Sequence, residues 1–124
     1  MSKYINKEYK IFNVKFSIFL NKKIFEPNLT TILLIDMARK IIRSNDKVLD
    51  LGCGSGVVGC YLYKKKIIKF IYGSDISEAA VRCSIFNAKK LTKDFDIRLS
   101  NSLSNWKNKK FDLIINDISG ISSQ

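Results

Sequence analysis

The chain has 124 residues, 46% of them hydrophobic, and carries 22 basic against 11 acidic residues for a formal net charge of +11. That length holds one domain with a modest core, and the apolar content excludes a disordered chain. There is no histidine, and the three cysteines form no C-x-x-C pair, which removes imidazole bases, Ser-His and Cys-His nucleophiles, His-ligated zinc and a disulfide framework.

No apolar run reaches the roughly 20 residues a membrane span needs. The N-terminus is polar and lysine-rich, without the apolar core of a signal peptide. A cytoplasmic protein with no metal and no membrane association is expected. The basic excess is almost entirely lysine. It reads either as a nucleic-acid or ribosome-contacting surface or as a merely solvated face.

In chain order, Lys10 to Leu20 mixes β-branched and aromatic residues with polar ones and reads as a strand. Asn21-Lys22-Lys23 is a turn candidate, with Ile24-Phe25 starting a short return strand. Pro27 ends that unit, so residues 1–28 are expected as a lead-in and 29–124 as the main domain. Thr30 or Thr31 is the expected cap of a helix reaching about Arg43.

Val48, Leu49 and Leu51 form a short apolar strand carrying Asp50, followed by Gly52-Cys53-Gly54-Ser55-Gly56 and a helix from Val57 to Tyr63. Glycines let the backbone pass close under a ligand, and the helix N-terminus behind them offers unpaired N–H groups. A second strand, Phe70 to Asp75, ends in an acid roughly 20 residues beyond the first turn glycine, the spacing at which a carboxylate meets ribose hydroxyls. Ser77 caps a helix to about Lys90. Ile97 to Leu99 and Phe111 to Asn116 complete about four core strands. Alternating strands and helices imply an α/β fold, a Rossmann-like parallel sheet, with Gly52, Asp75, Asn101 and Asn116 at the strand ends where ligands bind.

Two glycine registers compete. Gly54-Ser-Gly56-Val-Val-Gly59 matches the G-x-G-x-x-G of dinucleotide binders. In that fingerprint the first glycine directly follows the strand. Here that residue is Gly52, and counting from it places Val57 at the third glycine. Asp50 also sits where a pyrophosphate would approach; it repels phosphate and suits a cationic ligand.

The Asp50-Leu-Gly-Cys-Gly-Ser-Gly56 string closely resembles motif I of the class I S-adenosylmethionine (SAM) methyltransferases. Phe25-Glu-Pro-Asn-Leu-Thr-Thr-Ile-Leu-Leu34 resembles the entry segment of HemK-like enzymes, which methylate a glutamine amide of release factors, and the strand pair before it also resembles that family and the related small rRNA methyltransferases. The resemblance implies SAM as cofactor. Gly52, Gly54 and Gly56 would hold its methionine part, with Asp50 near the amino group. Asp75 would hold the ribose, Asn101 the adenine, and Thr31 would be a contact from the entry segment. It further implies a protein (release factor) or rRNA acceptor oriented by Asn116. Asp117, which stands where the family has proline, is by its own chemistry a candidate base for an oxygen or carbon nucleophile.

Two positions depart from the family pattern. Asn101 stands where Asp is usual, and Asn116-Asp117-Ile118-Ser119 keeps the Asn of Asn-Pro-Pro-Tyr but loses the rest. The alternative is therefore a non-catalytic module of the same fold that binds a partner or RNA. The family's fold has further strands after the fourth, so a C-terminally incomplete domain is expected, with strand 4 covered by a missing half or a homodimer mate.

Overall fold

The computed structural model describes residues 3–24 and 26–116. Strands β1 (Ile5–Ile11) and β2 (Val14–Leu20) form an antiparallel hairpin, with Ile11 opposite Val14. The turn is Phe12-Asn13, at φ 50° and 64°. The expected single strand over residues 10–20 is thus broken inside. Two residues at positive φ make the tight turn whose twist matches a hairpin. Asn tolerates that conformation, but Phe rarely does. Tertiary contacts hold it there: the Arg39 guanidinium lies 4.0 Å above the Phe12 ring, and Tyr61 packs against it. Along β2, Phe16, Ile18 and Leu20 alternate inward. Ile24 lies in a turn and forms no return strand, and Phe25 is outside the described residues.

Helix α1 spans Leu29–Ile41, and its cap is Asn28, not Thr30 or Thr31. Asn28 Oδ1 accepts from the Thr31 N–H at 3.2 Å, and Thr31 Oγ1 accepts from the Asn28 N–H at 3.2 Å. This reciprocal box stabilises a helix start by about 1 kcal/mol. Thr31, Ile35 and Ala38 face inward. The opposite face exposes Leu29, Leu33, Met37 and Ile41.

The remaining strands, β3 (Val48–Leu51), β4 (Ile71–Asp75), β5 (Phe95–Leu99) and β6 (Leu113–Asn116), form a parallel sheet in the order β5-β4-β3-β6. Helices α2 (Val57–Lys64) and α3 (Glu78–Lys89) make the crossovers. Ser77 caps α3, accepting from the Ala80 N–H. The main core joins the hairpin, α1, α2 and one sheet face. On the other face Leu49 and Tyr72 pack under Trp106, with Phe70 and Phe111 at the margin. The strand order reverses beside β3, because β4 and β5 add on one side and β6 on the other. A crevice opens at the carboxyl ends of strands at such a reversal.

Candidate functional site

The crevice is a cavity of about 550 Å³, a size that suits a small-molecule ligand. Thr31, Asp50, Gly52, Gly54, Asp75 and Asn116 all line it. The turn after β3 is held from β4: the Gly52 and Cys53 N–H groups both donate to the Ser74 carbonyl at 2.8 Å. The Gly54 N–H donates to Asp75 Oδ2 at 3.0 Å, and the Ser77 N–H donates to Oδ1 at 2.9 Å. Asp75 is thereby fixed to the glycine loop on one side and to the start of α3 on the other.

The glycines differ in what surrounds them. A Cβ on Gly54, at φ +54°, would meet nothing within 4 Å, because this position opens onto the cavity. A Cβ on Gly56, at φ +86°, would lie 2.9 Å from Ser84 Oγ. Gly56 therefore brings α2 and α3 together behind the cavity and does not line it. Gly52 faces Asn116, whose Oδ1 would be 3.4 Å from a Cβ there.

The floor and mouth differ in polarity. Asp50 is 3% exposed yet reaches the wall, close to Val57 and Val58 at the start of α2. Among the described residues no side chain caps that helix, so its positive end is available to an anionic group. An acid and a helix N-terminus side by side match a ligand bearing both an ammonium and a carboxylate. Ile24 and Pro27 supply an apolar wall from the entry segment, and Ile76, 73% exposed, stands at the rim beside Asp75. Burial, with Asp50 and then Asp75 nearby, pushes the Cys53 thiol well up, and burial with Asp50 pushes Cys60 to about 12. Both stay protonated and are not nucleophiles.

Asn101 is exposed and outside the lining; its neighbours Ser100 and Ser102 form that stretch of wall. Asp117 lies outside the described residues. Two residues from α3 carry more of the site than the sequence reading gave them. Ser84 Oγ donates to the Gly54 carbonyl at 3.0 Å, and Asn87 Nδ2 donates to the Ser55 carbonyl at 2.8 Å. Their signal was present: both are polar residues on the inward face of an amphipathic helix.

The family described as "Methyltransferase small domain" matches residues 15–117. A ribosomal protein L11 methyltransferase of Thermosipho melanesiensis is 37% identical over 89 residues, covering 72% of this chain and 34% of that protein. A release factor glutamine methyltransferase of Dictyoglomus turgidum is 33% identical over 90 residues, covering 70% of this chain and 31% of that protein. The chain thus spans about a third of the length of these curated relatives. Among solved structures, a T. thermophilus 16S rRNA methyltransferase in complex with AdoMet and guanosine superposes with a TM-score of 0.75. It is 15% identical and covers 94% of this chain and 33% of that one. M. capricolum TrmK in complex with S-adenosyl-homocysteine superposes with a TM-score of 0.58 at 26% identity, covering 66% and 38%. With its hairpin, parallel sheet and glycine turn in place, the chain belongs to the methyltransferase small domain family.

Proposed function

We propose that the cavity binds S-adenosylmethionine and that this chain is the cofactor-binding part of a methyltransferase acting on a protein or RNA of the translation machinery. The observation that carries the reading is the buried Asp50 carboxylate on the cavity wall beside the uncapped start of α2. A dinucleotide's pyrophosphate would meet that carboxylate at close range, whereas an amino-acid zwitterion meets a complementary pair. Gly54 leaves room for the ligand to approach the backbone, and Asp75 turns its carboxylate to the same cavity. Ile76 offers an apolar surface to the base, next to the serines of the β5 loop.

When bound, SAM supplies an electrophilic methyl group on a sulfonium, so no strong protein nucleophile is required. The chain's contribution is to bind and orient. Asn116 would hold an incoming amide or amino group, a role supported by its exposure at the end of β6 and its place beside Gly52 on the cavity lining. The two relatives, a ribosomal protein L11 methyltransferase and a release factor glutamine methyltransferase, support a protein acceptor. The rRNA enzyme with the same fold supports RNA as the other acceptor. A cytoplasmic setting is consistent with both; among the described residues no helix is long and apolar enough to cross a membrane.

The test is calorimetry with SAM and its demethylated product, S-adenosylhomocysteine (SAH). Micromolar binding is expected, and the double variant Asp75→Ala/Gly54→Val abolishes it. Transfer of a tritiated methyl group to ribosomal protein L11, release factor or rRNA then identifies the acceptor. Loss of Pro-Pro-Tyr after Asn116 favours a second reading, a SAM-binding module without catalysis. Tight SAH binding with no transfer to any of the three acceptors selects it.

A further inference from the structure

The β-hairpin is tied to the cavity through one buried side chain. Asn87, 5% exposed, lies on α3 between β2 and the glycine loop. Its Oδ1 accepts from the Phe19 N–H at 2.8 Å, and its Nδ2 donates to the Phe19 carbonyl at 2.9 Å. The carboxamide thus pairs with both backbone groups of one residue, as a neighbouring strand would, and satisfies that part of the β2 edge. The same Nδ2 donates to the Ser55 carbonyl at 2.8 Å, and Ser55 is a buried residue on the cavity wall.

One turn of α3 therefore holds two elements. Cys83 Sγ donates to the Phe19 carbonyl at 3.1 Å, and Ser84 Oγ donates to the Gly54 carbonyl at 3.0 Å. The hairpin reaches the cavity a second time through Glu26 of the entry segment, which accepts from Tyr9 Oη at 2.7 Å and pairs with Lys7. That second link is solvent-exposed and weak. Asn87 is the buried one, and removing it leaves backbone groups of both elements without this partner.

We propose that Asn87 is a positioning residue for the cavity: by bonding the β2 backbone and the Ser55 carbonyl together, it makes the set of the glycine loop depend on docking of the hairpin. Ligand affinity and hairpin order are then coupled, and the coupling is reciprocal. The ligand side of this statement rests on the proposed SAM binding; the loop side does not.

The experiment compares Asn87→Ala with Ile18→Val, a single-methyl change in the hairpin core that removes none of the Asn87 hydrogen bonds and is expected to leave the hairpin docked. Amide hydrogen exchange of Gly52 to Gly56 is read without ligand, and SAH affinity by calorimetry. Asn87→Ala is expected to speed loop exchange and weaken SAH at least tenfold, with Ile18→Val changing both less than twofold even where it lowers the melting temperature. In the unmutated chain SAH is expected to slow exchange of the Phe19 amide at least fivefold and leave the Tyr9 amide unchanged. Loop exchange that is the same in Asn87→Ala and the parent, or equally fast in Ile18→Val, overturns the proposal. If Asn87→Ala does not fold, Asn87→Ser takes its place under the same criteria. A parent that binds no SAH while Asn87→Ala still loosens the loop defeats the cofactor reading and leaves the positioning role standing.

Discussion

The glycine loop and the end of β6 lie side by side at one cavity and are built in opposite ways. On the loop, backbone groups of Gly52, Cys53, Gly54 and Ser55 are each bonded to β4, Asp75 or α3. On β6, Asn116 is exposed, Ile114 is 43% exposed, and among the described residues the strand pairs only with β3. The contrast separates two tasks. A small ligand needs a rigid, preformed seat, because each group ordered on binding subtracts from affinity. A macromolecular acceptor needs an accessible rim that it can complete itself.

The largest effect that would break this contrast comes from inside the loop. Gly56→Val places a side chain on Ser84 at a positive φ and is expected to destabilise the chain by about 3 kcal/mol, measured by urea unfolding. Gly54→Val meets no neighbouring atom. Its expected stability loss is only about 1–2 kcal/mol, with SAH affinity falling more than tenfold because the side chain enters the cavity. Asn116→Ala, at the end of β6, should change stability by less than about 0.5 kcal/mol and leave SAH affinity within twofold, while methyl transfer is lost. If Asn116→Ala instead weakens SAH as much as Gly54→Val, the two walls do not divide the tasks.

Smaller effects sharpen the account of the scaffold. Ser74 is fully buried, and among the described residues its hydroxyl has no hydrogen-bond partner. Ser74→Ala is expected to be neutral or to stabilise by up to about 1 kcal/mol in the same unfolding assay. Cys60 is raised from 9.0 to about 12 and Cys83 to about 11, both chiefly by burial. Groups raised on folding hold their proton more tightly in the native state, so their contribution is full below pH 9 and is lost as pH rises toward 12. The melting temperature should fall across that window, and Cys60→Ala should flatten the fall.

Much of this was legible in the sequence, and the reason is local. A strand, a glycine turn and a helix are encoded by neighbouring residues, as is the acid at the end of the next strand, so β3, α2, β4 and the Ser77 cap stand where expected. The four parallel strands begin within about two residues of expectation, the usual uncertainty at element ends. The hairpin turn was not legible, because Phe12 at positive φ opposes its own preference and is held by Arg39 and Tyr61 from elsewhere in the chain. The α1 cap was misplaced because Thr31 is a capping residue by type, yet here serves as the reciprocal partner of Asn28. Ser84 and Asn87 were under-read for a similar reason: their partners lie about 30 and 70 residues away, and helical periodicity reports a face without saying what it touches. Asn101 was aligned on the family pattern, but the β5 loop turns Ser100 and Ser102 to the wall instead.

The central claim is that the cavity is a seat for an amino-acid-bearing nucleoside and not for a dinucleotide. Calorimetric titration of the folded chain with SAH and, separately, with NAD tests it most directly. The account predicts one site with micromolar affinity for SAH and no heat with NAD. A folded chain that binds NAD, or that is silent to SAH, contradicts it.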